Sequence, residues 1–293
     1  MPSKPRQGPQ TFEELTRTIH EQFEGLSKTN RQIAVYLTQN PNDVAMSSVN
    51  MIAEKCGIHA SSFVRFAQGF GYSGFKELQQ VFRERLTTAA PGFETRAQQM
   101  RADAGRRRAT GLRAHLQELV IGDADSLERL IAGVDEARLE TAVSLLAAAQ
   151  TVFLVGQLRS EPIVVLLRYI LTMLGRRAIL LDSAGGLATQ MSKIATEKDV
   201  LIAVSFRYYA TEVVNIVDDL ANRGVPVIGI TDTTLSPLAK SSKVIFDVPE
   251  RDHAFSRSLA APICLAQGLM LGLAARLSED ETASPVIPVA TRP

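Results

Sequence analysis

Two short stretches of this 293-residue chain combine residue types suited to holding an anion. In HASSFVRFAQ, residues 59–68, the hydroxyls of Ser61 and Ser62 sit at the predicted start of a helix, with Arg65 and Gln68 further along the same side. Phe63, Phe66, Ala67 and Phe70 follow helical spacing on the opposite side, which predicts that their face is buried. Short hydroxyls followed one turn later by a guanidinium suit phosphate oxygens and base edges in a DNA major groove. An ordinary helical hairpin with a solvated polar face produces the same pattern. The second stretch, VSFRYYATE at 204–212, closes a run of apolar residues with a serine and an arginine between aromatics. Polar groups just past a buried strand face a ligand site, and the planar fork of Arg207 matches a phosphate or a carboxylate.

The elements that must position these residues fall into two groups. Before residue 90 the pattern is short and helical. FEELTRTIHEQFEGL repeats apolar residues at helical spacing, and Ser27 is placed to cap KTNRQIAVYLTQN, which Pro41 closes. Ser47 or Ser48 caps VNMIAEKC and Gly57 stops it; HASSFVRFAQGF ends at Gly71, and Ser73 opens GFKELQQVFRERL. Five helices with tight turns predict a compact all-α domain, and helix, glycine turn, helix within 47–75 is the helix-turn-helix layout. Beyond 115, SLERLIAGVDEARLETAVSLLAAAQ reads as one or two amphipathic helices. Then TVFLV (151–155), AILL (178–181), DVLIAV (199–204), PVIGI (226–230) and KVIFDV (243–248) are short, continuously apolar β-rich runs, mostly separated by helical segments. Continuous apolarity implies burial on both faces, so an α/β doubly wound parallel five-stranded sheet is expected.

Ligands of such sheets sit beyond the carboxyl ends of the strands where strand order reverses. The loops GQLRS (156–160) and SFRYYATE (205–212) therefore flank the expected crevice, each before a helix whose N-terminal amides favour an anion. The loops at 182–186 and 231–237 border the same mouth, where Asp182 and Asp232 serve either as hydrogen-bonding groups or as caps.

Charge separates the two halves. Residues 1–90 carry ten Lys/Arg against eight Asp/Glu, 91–115 carry six against two, and 116–293 carry 16 against 21. A basic front on an acidic body suits a polyanionic partner, although a solvated basic connector gives the same asymmetry. Two cysteines without CxxC spacing and the absence of an apolar leader predict a reduced, cytoplasmic protein. The 17-residue apolar run at 259–275 contains Pro262, Gln267 and Gly268 and is expected to be a buried or interface helix, with no membrane partner.

The stretch LSKTNRQIAVYLTQNP…MIAEKCGIHASSFVRFAQGFGYSGFKELQ resembles the N-terminal domain of RpiR/MurR-type bacterial transcriptional regulators, most specifically in RFAQGFGYSGFKEL. The rest is similar to the sugar isomerase (SIS) fold, a flavodoxin-like phosphosugar-binding module, through FLVGQLRSEP, DVLIAVS, RGVPVIGITDTTLSPLAK and FSRSLAAP. The resemblance implies that Ser61, Ser62 and Arg65 meet double-stranded DNA, with Gln68 beside them. His59 stands where the family usually places a serine cap and is taken as a phosphate contact. For the second domain it implies an anionic carbohydrate effector held by Gly156, Ser160, Ser205, Arg207, Tyr208 and Thr211. In the usual cradle, Gly-x-Gly-x-Ser and Ser-x-Ser-Gly-x-Thr, this chain has Leu158 for the second glycine. Arg207, Tyr208 and Ala210 replace the second serine, the glycine and the threonine, and Thr211 is one residue out of place.

The expected organisation is a helix-turn-helix domain at 1–88, a basic linker at 89–114, the SIS domain at 115–278 and a tail at 279–293. Two readings of Arg207 stay open. Either it recognises the effector anion, or it makes an internal ion pair in a domain that only oligomerises. Isomerase chemistry is the enzyme-class alternative and needs a general base, for which His253 with Glu161 or Glu212 is the nearest set. The leading expectation is a regulator that is not an enzyme, without metal or cofactor, binding DNA as a homodimer or homotetramer. Its hinge is expected in the 91–115 connector.

Overall fold

The computed structural model describes residues 8–87, 98, 111–207, 209–248, 252–253 and 256–283. The basic connector lies mostly outside them, as does Tyr208.

The first domain is built from α1 (Phe12–Gln22), α2 (Lys28–Gln39), α3 (Pro41–Met46), α4 (Val49–Cys56), α5 (Ala60–Gly69) and α6 (Phe75–Thr87). Ser27 and Ser48 accept hydrogen bonds from the backbone N–H groups of Asn30 and Met51, so both predicted caps form. Gly57 ends α4 in the left-handed conformation, at φ 63°, where a Cβ would add strain. One element differs from the sequence reading. Pro41 does not simply close α2 but starts α3, because a residue without an N–H costs nothing at the first helical position. Leu15, Ile19, Ile33, Leu37, Ile52, Phe63, Phe66, Leu78 and Phe82 are buried in the middle. Each contributes roughly 1.5–3 kcal/mol by leaving water.

The second domain begins with α7 (Leu112–Gly133) and α8 (Glu136–Ala148), two helices split at Val134. The strands follow at Val152–Gly156 (β1), Ala178–Leu180 (β2), Val200–Val204 (β3), Val227–Thr231 (β4) and Val244–Asp247 (β5), all within a residue or two of expectation. They form one parallel sheet in the order β2-β1-β3-β4-β5. The helices among them are α9 (Glu161–Met173), the short α10 (Ala188–Ser192) and α11 (Thr211–Asn222). A two-residue ladder, β6 (Asp252–His253) and β7 (Ser256–Arg257), precedes α12 (Ala260–Ala283).

Every residue of β1, β3 and β4 is buried, and alternate residues serve different cores. Val152, Leu154, Val200, Ile202 and Val204 pack with α8, α9 and α12. Phe153, Val155, Leu201 and Ala203 pack with α11, in a core that continues without interruption into the helical domain. Within α12, Ala260–Glu279 is the stretch among the described residues long and apolar enough to cross a bilayer. It packs on α7, α8 and α9, burying Leu265, Ala266, Leu269, Met270 and Leu273.

Candidate functional site

Strand order reverses between β1 and β3, and Gly156 pairs with Val204 at the carboxyl ends of these strands. The loops carrying Ser160 and Arg207 therefore leave the sheet side by side, as the sequence predicts. Gly156 is needed for closeness: a Cβ there would stand 3.1 Å from Val164 Cγ1 and 3.2 Å from the Ser160 carbonyl oxygen. Ser160 and Ser205 are buried, the latter continuing the ladder by donating its N–H to Ile230. Thr211 is the first residue of α11 and is half-buried.

All four loops meet through carboxylates. Glu212, in the first turn of α11, accepts from the Gln157 side-chain amide at 2.6 Å and from the Thr189 hydroxyl at 3.1 Å. That joins the loop after β1, the segment after β2 and the loop after β3. Asp232, beyond β4, accepts from the Tyr209 hydroxyl at 2.7 Å and from the Arg207 backbone N–H at 3.2 Å. Asp182 accepts from the Ala184 N–H at 2.8 Å, a local turn bond two residues along the chain. Arg207 and Tyr209 both adopt φ of 42°, a conformation that costs a residue with a Cβ on the order of 1 kcal/mol or more. The Asp232 hydrogen bonds and the burial of the Tyr209 ring hold the loop there.

The helical domain supplies the remaining walls, which the sequence reading did not foresee. Phe12 of α1 meets the Tyr209 ring edge to face, with centroids 6.3 Å apart. Arg85 of α6 is buried, donates to the Tyr209 carbonyl and to Asn42 Oδ1, and lies 5.1 Å from the Phe12 ring centroid. Desolvation pushes its pKa down to about 10, against the favourable field of Tyr209, so the guanidinium still carries its charge at neutral pH. Arg207 forms ion pairs with Glu13 of α1 at 3.5 Å and with Asp232 at 3.9 Å, and its side chain is 18% exposed. Internal pairing of Arg207 is thus part of the structure. Around this centre Asn42 bonds Asn215, Lys240 bonds Asn40, and His20 faces the Thr233 hydroxyl at 3.3 Å. His20 of α1 therefore reaches the rim of the crevice.

The polar face of α5 stays open. His59, Ser61, Arg65 and Gln68 are exposed and Ser62 is partly so, while Phe63, Phe66 and Ala67 are buried beneath them. Arg65 approaches the Ser62 hydroxyl at 3.5 Å. His59 occupies the N-cap position without a side-chain cap bond, leaving its imidazole unused by the helix.

Known proteins resemble both domains. Residues 145–275 match the SIS domain family and residues 13–88 match the helix-turn-helix domain of the rpiR family. The uncharacterized HTH-type transcriptional regulator YfhH of Escherichia coli is 26% identical over 259 residues, covering 87% of this chain and 88% of that one. The sugar isomerase domain of an RpiR transcription factor from Sphaerobacter thermophilus is 26% identical with a TM-score of 0.54, over 57% of this chain and 93% of that one. The Vibrio vulnificus NanR protein, solved with ManNAc-6P, superposes on 94% of this chain and 99% of its own at a TM-score of 0.52 and 21% identity, a likeness of fold. With an rpiR-family helix-turn-helix domain followed by a SIS domain on a five-stranded parallel sheet, this chain belongs to the RpiR family of transcriptional regulators.

Proposed function

We propose that this regulator senses a phosphorylated sugar or a sugar acid in the β1/β3 crevice and changes its hold on an operator in response. The observation that carries this reading is the loop of Arg207. It lies at the topological switch point, before the N-terminus of α11, and it is gripped from the other side by the DNA-binding domain. A ligand there touches a part of the protein whose position the helical domain shares, as a coupling free energy requires. Gly156, Ser160, Ser205, Arg207, Tyr208 and Thr211 form the effector set in this reading. Ser61, Ser62, Arg65 and Gln68 read DNA from α5, with His59 on a phosphate, and a homodimer or homotetramer pairs the half-sites.

Sensing is favoured over isomerisation because proteins named as HTH-type transcriptional regulators are similar to this chain over most of its length, and its own residues 13–88 match a helix-turn-helix domain. The test is binding to the DNA upstream of the protein's own gene, titrated with ManNAc-6P and a panel of other sugar phosphates and sugar acids. A compound that shifts operator affinity in the wild type and not in Arg207→Ala supports the reading. An unshifted affinity across the panel refutes sensing and leaves a domain that only oligomerises.

A further inference from the structure

The head of this regulator puts a carboxylate on the very group assigned to the effector. Glu13 and Arg207 are 194 residues apart, yet Nη1 of Arg207 donates to Glu13 Oε1 at 3.5 Å, with both side chains less than one-fifth exposed. The pairing is built in from several sides. Phe12, the neighbour of Glu13, is packed on Tyr209, two residues from Arg207. Arg85 holds the Tyr209 carbonyl, and Asp232 holds the Arg207 N–H and the Tyr209 hydroxyl. The left-handed turns at Arg207 and Tyr209 are thus sustained partly by contacts from the helical domain. An anion arriving before α11 meets Arg207 beside two carboxylates, Glu13 and Asp232. Asp232 belongs to the same domain and is fixed by the loop it holds. Glu13 rides on a separate domain and is the one that is able to leave. Three anions around one guanidinium are mutually repulsive, so anion binding favours the arrangement with Glu13 withdrawn.

Resting on the effector site proposed above, we propose that Glu13 is an internal competitor of the effector: α1 of the DNA-binding domain and the ligand's anion contend for Arg207, and occupancy of the crevice loosens the head. The ligand's acidic group then both binds and transmits the signal.

Hydrogen exchange in the full chain tests this, with inorganic phosphate and separately ManNAc-6P as the probe at constant ionic strength set with chloride. In the wild type the probe slows exchange in the loops at 156–160 and 205–211 and quickens it in α1. In Glu13→Gln, α1 exchanges fast before any probe is added, and the half-saturating probe concentration falls roughly 3- to 10-fold, because less of the protein is held in the closed arrangement. Glu13→Asp, one methylene short, falls between. Glu14→Gln removes the same first-turn charge from a carboxylate that instead accepts the backbone N–H of Gln10, and it behaves as wild type. Loop protection with unchanged α1 exchange, and the same half-saturation in Glu13→Gln, overturns the competition while leaving the effector site standing. Protection of neither loop by either probe overturns both.

Discussion

Replacing Arg85 with methionine is expected to weaken the docking of the helical domain on the crevice by about 2 kcal/mol. The substitution keeps an unbranched apolar stem of similar reach and deletes the guanidinium. The Tyr209 carbonyl loses a charged donor within the core, a loss of about 1–3 kcal/mol. The contact with the Phe12 ring at 5.1 Å goes as well, a further 0.5–2 kcal/mol or so. The Asn42 amide retains Asn215 as an acceptor for its own N–H, and its oxygen is near enough to solvent to be hydrated. Against these losses, which together reach roughly 1.5–5 kcal/mol, stands the relief of a desolvated charge, since burial of this guanidinium is what depresses its pKa. A net 2 kcal/mol shifts the docking equilibrium roughly 30-fold. The assay is native-state hydrogen exchange on α1 and α6 alongside denaturant unfolding of the whole chain. Amides of α1 and α6 should open together, ahead of the sheet. If Arg85→Met changes their opening free energy by less than about 0.5 kcal/mol, the size of an ordinary surface substitution, then Arg85 does not hold the two domains together.

Three further outcomes are expected. Arg65→Ala should weaken operator binding about 10- to 100-fold at fixed salt, measured by fluorescence anisotropy, with little change on non-specific DNA; equal loss on both sequences assigns Arg65 to the backbone instead. Gly57→Ala meets nothing within 4 Å but forces a Cβ onto φ 63°, so it should cost about 1 kcal/mol in the helical domain, read as a small drop in melting temperature. Burial alone would raise the pKa of Asp43, but hydrogen bonds from Lys55, Tyr36 and Ser47 outweigh it and hold the carboxyl below its usual value. Its stabilisation is therefore present above the unfolded carboxylate pKa and lost as pH falls through the lower folded one. The wild-type melting temperature should fall more steeply between pH 5 and 3 than that of Asp43→Asn, and parallel curves would remove Asp43 from the acid response.

What could be read from the sequence was local. Runs such as VLIAV, residues 200–204, place the central strands because burial on both faces leaves no polar residue in them. Ser27, Ser48 and Gly57 mark helix ends because caps and left-handed stops act within a few residues. The crevice loops follow in turn, since strand ends and strand order locate them. Less was visible where a residue serves two elements or a distant one. Pro41 ends one helix and starts another, and only the second role needs the structure to show it. Glu13 reads as an ordinary acid in a first helical turn, and Arg85 as an ordinary base in a last one. Their partners lie 194 and 124 residues away, and no spacing rule reaches that far. Glu212 was legible only as a carboxylate near the crevice, whereas its tie to Gln157 and Thr189 depends on three loops converging.

The shared core also sets an order of events on the ribosome. The helices of the first domain end at Thr87 and pack on one another, so that domain can form as soon as its last helix clears the exit, whereas the parallel sheet awaits strands that run on to Asp247. Arg85 must wait for 124 residues more before the Tyr209 carbonyl is synthesised, roughly 6–25 s at bacterial rates of about 5–20 residues per second. For that interval Phe12 and Arg85 lack the body they are shaped to meet. The nascent head is a natural target for a holding chaperone, and slowing translation should lengthen its exposure without altering the finished protein.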